Sequence, residues 1–222
     1  MQQPDDETLK AIAAQLRCPS GEQGIQTGLR MQQNNDNMIR SAIAALDLQD
    51  DERILEIGPG RAHHLSSILD KLPTVSYSGI DISETMIKEA CELNKQYCES
   101  GQATFDLTDG ETIPFEEDTF AKGFTVNTIY FWSDPLAYLE EIKRVMRPGG
   151  IFCIALATKD FMQALPFTQF GFTLYDEAMV QELASEAGWI LKEVLTEKEE
   201  VQIGATEFAE REFLLVLVEK GE

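Results

Sequence analysis

The residues whose types and spacing could do chemistry fall at the ends of four short apolar runs. The first closes in Glu56-Ile57-Gly58-Pro59-Gly60, the second in Asp81, the third leads to Asp109-Gly110, and the fourth ends at Asn127. Gly58 and Gly60 would let the backbone approach a bound nucleoside without a Cβ in the way. Asp81 lies 21 residues after Gly60 and is placed to accept both hydroxyls of a ribose. Asp109 can accept from an adenine amino group while the amide of Gly110 donates to the ring. Taken singly, a Gly-x-Gly is a common tight turn and a strand-end acid is often a helix cap. Their order and spacing point to one site that reads a sugar and a base. A dinucleotide fingerprint wants a third glycine and amide donors for pyrophosphate. Here His63 holds the third place and Pro59 removes a donor, so a nucleoside without phosphates is expected.

A reaction would need more than a nucleoside site. His63 and His64, the two histidines of the chain, open a helix beside the glycine turn. One is a candidate general base, since histidine titrates near neutral pH; two solvated first-turn residues are the alternative. After Asn127 come Tyr130, Phe131, Trp132 and Asp134. Tyr130 is a third catalytic candidate, and Tyr130 and Trp132 are candidate walls of a second pocket. Aromatic side chains bury large areas in any case, so core packing is the rival reading. Phe167 and Phe170, in the apolar stretch from Phe161 to Tyr175, suggest a hydrophobic ligand or a lid, with dense packing again the rival.

The elements that must position these groups alternate. Short strands are expected at Arg53–Ile57, Ser76–Asp81, Ala103–Leu107, Lys122–Asn127 and Ile151–Ala157. Helical stripes separate them: Leu65 to Leu72, a helix capped by Ser83 running to about Tyr97, and one opened by Pro135 and stopped at Arg147-Pro148-Gly149-Gly150. Strands alternating with helices imply right-handed βαβ units and a mostly parallel sheet. Asp176 caps a further helix that Gly188 closes; Trp189–Thr196 and Phe213–Val218 then follow without a helix between them and should pair as an antiparallel hairpin. The fold class is therefore α/β, a doubly wound seven-stranded sheet with helices on both faces. In such sheets ligands bind beyond the carboxyl ends of the strands, where all four motifs fall. Residues 1–50 read as an N-terminal helical cap on a compact unit at 51–222. Leu9, Ile12, Ala13 and Leu16 mark one helix of it; a polar stretch, Met31 to Asn37, leads into a second at Met38 to Leu46.

Composition limits the partners. Eighteen basic residues against 39 acidic give a net charge of −21, which repels a phosphate backbone or an anionic lipid face. No nucleic-acid partner and no membrane insertion are expected. The start, MQQPDDETLK, has neither the basic nor the apolar region of a signal peptide, so a cytoplasmic location is the expectation. Cys18, Cys91, Cys98 and Cys153 form no zinc-type spacing, and neither disulfide nor metal is expected.

Four segments together resemble one family. Ile54 to Gly60, Gly79-Ile80-Asp81-Ile82-Ser83, Ala103 to Phe115 with Ile113-Pro114-Phe115, and Glu141 to Gly150 are similar, in register over about residues 53–157, to the motifs of class I S-adenosylmethionine-dependent methyltransferases. The resemblance is strongest to small-molecule enzymes of the quinone-biosynthesis type. It departs at Phe120-Ala121, where that family often has Phe-Asp, and at Arg61-Ala62-His63-His64, where it often has Gly or Thr. The resemblance implies an S-adenosylmethionine site with Glu56, Gly58 and Gly60 on the methionine side, Asp81 at the ribose and Asp109 and Gly110 at the adenine; Ile82 is a further cofactor-binding candidate, and Asn127, at its strand's end, is expected to face the cofactor. It implies methyl transfer to a small, partly hydrophobic acceptor. A non-catalytic domain that binds the same cofactor is the alternative, and an NAD-dependent oxidoreductase a more distant one. DNA amino-methylating enzymes resemble one another in an Asn/Asp-Pro-Pro-Tyr/Phe motif that Asn127-Thr128-Ile129-Tyr130 lacks.

Overall fold

A computed structural model describes residues 4–203 and 207–222. The chain opens with α1 (Asp6–Arg17) and α2 (Gly21–Ala45), then runs β1 (Arg53–Ile57), α3 (Leu65–Leu69), β2 (Ser76–Asp81), α4 (Glu84–Leu93), α5 (Lys95–Glu99) and β3 (Ala103–Leu107). It continues with β4 (Phe120–Val126), α6 (Pro135–Val145), β5 (Met146–Ala157), α7 (Lys159–Met162), α8 (Glu177–Glu186), β6 (Ile190–Gln202) and β7 (Phe208–Glu219). The seven strands form one sheet in the order β3-β2-β1-β4-β5-β7-β6. Strands β1 to β5 pair in parallel, and β7 runs antiparallel between β5 and β6.

Alternation along each strand divides the core into two layers. Leu55, Phe152 and Ile154 face Leu139, Ile142, Val180 and Ala184 of α6 and α8. Their neighbours Ile54, Cys153 and Ala155 face Met38, Ile39 and Ala42 of α2 and Leu65 and Ile68 of α3. Near-continuous apolar strands are what burial on both faces requires. Capping fixes where the helices start: Ser83 accepts from the Met86 amide at 3.1 Å, Asp134 from Ala137 at 3.0 Å and Asp176 from Met179 at 3.0 Å.

Several elements differ from the sequence expectation, among them β5, which begins at Met146 rather than Ile151. The polar stretch 31–37 is not a lead-in: α2 is one helix of 25 residues that passes straight through it. Its N-terminal half lies close on its neighbours because Gly28 has no side chain; a Cβ there would fall 2.8 Å from the Met86 sulfur. The helix after Ser83 breaks at Asn94, whose buried amide donates to the carbonyls of Ala62 and Ala90 at 3.1 and 3.0 Å and so ties the break to the glycine turn. The closing hairpin is longer than expected. Pairing of β7 with β5 ends at Ala157 opposite Phe213, while β6 and β7 stay paired out to Gln202 opposite Phe208. That overhang leans on α2, where Asn34 Nδ2 donates to the Gln202 carbonyl at 3.3 Å.

Candidate cofactor cleft and acceptor chamber

The order of the sheet reverses between β1 and β4, and a cleft opens beyond their carboxyl ends, as doubly wound sheets predict. All eight residues expected to hold the cofactor line it: Glu56, Gly58, Gly60, Asp81, Ile82, Asp109, Gly110 and Asn127. Gly58 and Gly60 carry φ of 72° and 55°, the left-handed region that glycine adopts without strain. A Cβ on Gly58 would also strike the Thr128 methyl. Asp81 stands at the centre. Its Oδ1 accepts from the Ser83 amide at 2.9 Å and its Oδ2 from the Gly60 amide at 3.3 Å. Burial pushes its carboxyl up to about 6, against the pull of those two amides.

Two of the eight are held differently from the expectation. The exposed Asp109 carboxylate is folded onto its own loop: Oδ1 accepts from the amides of Glu111 and Thr112, both at 2.8 Å, and Oδ2 from the Thr112 hydroxyl at 3.0 Å. Those bonds hold it below the usual carboxylate range. Asn127, at φ 58°, does not present a free amide to the cleft. Its Oδ1 accepts from the Ala157 amide and the Tyr130 hydroxyl, each at 3.1 Å, and its Nδ2 donates to Asn35 Oδ1 at 3.1 Å.

A second cavity of about 740 Å³ adjoins the cleft, and Leu16, Met31, Asn35, Asn127 and Phe131 line both. Tyr130 and Phe167 wall this chamber as expected, together with Phe161, Met162, Leu165 and Phe172. Trp132 does not: it lines the cofactor cleft, packed edge-on against Tyr138 with ring centroids 5.0 Å apart. Phe170 lines neither cavity and instead lies under the Lys10 ammonium, 5.3 Å from its ring centre.

The catalytic candidates are redistributed. His63 lines the cofactor cleft, its Nε2 3.1 Å from Asp36 Oδ1, and burial pushes its ring below the ordinary histidine value in spite of that partner. His64 is turned the other way, 4% exposed and bonded to Glu56 behind the cleft wall, so it is neither a solvated first-turn residue nor in reach of the chamber. The single hydroxyl proton of Tyr130 is shared between the Ala157 carbonyl at 2.8 Å and Asn127 Oδ1 at 3.1 Å, and burial raises the group well above an ordinary phenol. A phenol so held offers its ring to the chamber, not a proton shuttle.

The N-terminal helices were expected as a cap, with Ser20-Gly21 and Met31 to Asn37 folding over the cofactor, but their side chains were not assigned to a site. Gly28, Met31, Gln32, Asn35 and Ile39 line the cleft, while Gln23, Gln26, Thr27, Arg30 and Asn34 line the chamber. Both sets recur every three or four residues, a helical signal hidden by the polarity of the stretch. The turn between α1 and α2 is pinned beside Asp81, with Ser83 donating its hydroxyl to the Pro19 carbonyl and Gly21 its amide to Thr85 at 3.2 Å. Arg211, from the hairpin overhang, was also missed. It is 5% exposed, lines the chamber, and binds Glu199 Oε1 at 2.6 Å and the Asn34 carbonyl at 2.5 Å.

Residues 55–154, which include the glycine turn, Asp81, Asp109 and Asn127, match the family model described as a methyltransferase domain. The chain carries a methyltransferase domain. It is 34% identical over 116 residues to YrhH of Bacillus subtilis (strain 168), a protein named as a methyltransferase, over 52% of this chain and 63% of that one. The chain spans about half to under two-thirds of the curated relatives it first matches. Among solved structures, the fold of the methyltransferase domain is shared with a chain of the Haloferax volcanii complex with the Trm112 methyltransferase activator (TM-score 0.75, 19% identity, all of both chains). It is shared too with a SAM-dependent methyltransferase from Aquifex aeolicus (TM-score 0.64, 21% identity, 98% of this chain and all of that one). The cofactor of the domain is S-adenosylmethionine, and the lining of the cleft fits it on charge. Glu56, Asp81 and Asp109 face a space in which one of the two arginines, Arg61, is already paired with Glu89. Such a lining repels a pyrophosphate and favours a molecule whose sulfonium and ammonium outnumber its one carboxylate.

Proposed function

We propose that this protein moves the methyl group of S-adenosylmethionine onto a small, partly hydrophobic acceptor held in the chamber beside the cleft. The observation that carries the reading is the wall the two cavities share at Leu16, Met31, Asn35, Asn127 and Phe131. Bound in the cleft, the cofactor supplies a methyl group already activated on a sulfonium sulfur. Asp81 takes the ribose hydroxyls, Glu56 the ammonium of the methionine end, and Gly110 with the remaining lone pair of Asp109 the adenine edge. The acceptor's nucleophilic atom forms its bond to the methyl carbon as the carbon–sulfur bond breaks in line, leaving S-adenosylhomocysteine. His64 and the Tyr130 hydroxyl are held elsewhere, so neither is placed to take a proton from that atom. Alignment and exclusion of water are then the protein's main tasks, and alignment alone is worth on the order of 7–11 kcal/mol.

The chamber indicates the kind of acceptor. Its size, about 740 Å³, lies within the range of small-molecule pockets. Phe161, Phe167, Phe172 and Leu165 give its wall apolar surface, and Arg30, Gln26 and Asn34 give it polar groups. We read α1 and α2 as the cap that closes both cavities.

Labelled S-adenosylmethionine incubated with a panel of apolar phenols, thiols and carboxylic acids tests the activity, with calorimetry on S-adenosylhomocysteine beside it. We expect micromolar or tighter binding and turnover on at least one amphiphilic acceptor. Phe172→Ala should raise the acceptor KM several-fold and leave S-adenosylhomocysteine affinity unchanged. Binding without turnover on any acceptor would leave the non-catalytic alternative standing, and no binding would sink the cofactor site as drawn.

A further inference from the structure

The catalytic role considered for His64 leaves it unexplained, and its surroundings suggest another. Tyr77, Glu56 and His64 are 1%, 2% and 4% exposed and form one polar cluster in an otherwise apolar layer. Register explains how they meet: Ile54 pairs with Tyr77 and Glu56 with Gly79, so Glu56 and Tyr77 share a face of adjacent parallel strands. The Tyr77 hydroxyl and His64 Nε2, the latter at 2.8 Å, both bond to the same oxygen of Glu56, Oε2. His64 Nδ1 is buried with no hydrogen-bond partner among the described residues, and the ring packs edge-on to Phe124. An orphaned lone pair costs less than an orphaned N–H, so the imidazole carries its proton on Nε2 and donates it to Glu56. Tyr77 is likewise a donor, since burial and then the nearby Glu56 charge drive its hydroxyl well above the ordinary phenol value.

Glu56 is therefore gripped from behind by two donors on one oxygen, while the residue itself lines the cofactor cleft. A carboxylate taken out of water needs such bonds, and this pair satisfies it without using Oε1. We propose that His64 and Tyr77 are positioning residues that lock the Glu56 carboxylate so that Oε1 receives the ammonium of the cofactor's amino-acid end. This rests on the cofactor site proposed above. The side chains would then discriminate between nucleosides that carry the amino-acid end and those that lack it, although neither touches the ligand.

The experiment compares two probes on the full chain: S-adenosylhomocysteine, and 5′-methylthioadenosine, which has the same base and sugar but no ammonium. Tyr77→Phe removes one donor at almost constant shape, and His64→Leu removes the other. His64→Gln keeps a donor near the Nε2 position. Loss of a hydrogen bond to a charged group predicts that Tyr77→Phe and His64→Leu each weaken S-adenosylhomocysteine about tenfold or more, with methylthioadenosine changed less than about twofold and His64→Gln restoring part of the difference. A drop in folded fraction lowers both affinities by the same factor, so their ratio reads positioning alone. An unchanged ratio in both donor-removing variants overturns the proposal. If the unaltered protein binds neither probe, the cofactor site itself is wrong, which is a separate result.

Discussion

Replacing Asp81 by Asn tests the centre of the site with the least disturbance to its shape. Asp81 ends β2 and is 9% exposed, with one oxygen on the Ser83 amide at 2.9 Å and the other on the Gly60 amide at 3.3 Å. Asparagine keeps the acceptor for Ser83 and places an NH₂, which cannot accept, where the Gly60 amide donates and the ribose hydroxyls would donate. Hydrogen bonds to a charged group contribute about 1.5–3 kcal/mol where neutral ones give about 1, so losing the charge under two hydroxyls should cost on the order of 1.5–3 kcal/mol. That is roughly a ten- to hundredfold rise in Kd for S-adenosylhomocysteine. Acidity supplies an independent check. With its carboxyl at about 6 in the free protein, Asp81 must lose a proton to accept the hydroxyls, so wild-type affinity should hold above that pH and fall about tenfold per unit below it. Stability without ligand runs the other way. A carboxyl raised above 3.8 binds its proton more tightly in the folded chain, so its contribution is complete below 3.8 and is lost as pH rises through about 6. His63 lines the same cleft and titrates below the ordinary histidine value, so calorimetry from pH 5 to 8 is run on both proteins and the difference between them isolates Asp81. Equal affinities at pH 7, or the full acid slope persisting in Asp81→Asn, would refute the ribose assignment.

Two other substitutions separate the grip on the base from the scaffold. Asp109→Ala should weaken S-adenosylhomocysteine less than Asp81→Asn does, because its exposed carboxylate is already taken up by Glu111 and Thr112. A larger loss by calorimetry would move the main contact to the adenine end. Glu199→Gln should lower thermal stability markedly, since Arg211 and Glu199 are only 6% and 13% exposed at their side chains. Breaking a buried pair costs about 3–5 kcal/mol, roughly 10 °C in Tm for a chain of this size. An unchanged melting curve would mean that Arg211 does not depend on Glu199 for its place in the wall.

The cleft beyond the strands was legible in the sequence because parallel strands deliver their carboxyl ends to one edge, so strand boundaries alone gather Glu56, Asp81, Asp109 and Asn127. What each side chain does there was not legible. Adjacent residues at a helix start point in different directions, and nothing local told that His63 faces Asp36 while His64 faces Glu56. Asp109 bonds to its own loop for reasons of turn geometry that a strand-end pattern does not carry. The chamber was legible only in fragments, since it is assembled over long range: Arg211 meets Asn34 across 177 positions. Apart from Asn127, Tyr130 and Phe131, every residue that lines the chamber lies outside the 55–154 stretch matched by the family model. Most of the cleft lies inside it. On the proposed reading, cofactor recognition is written where strands end, and acceptor recognition in α1, α2, the segment after β5 and the hairpin overhang. Those segments can change without disturbing the sheet, so relatives that share the glycine turn and Asp81 need not share an acceptor, and the acceptor of this chain must be sought through Met31, Arg30, Phe172 and Arg211 rather than through the motifs that identify the domain.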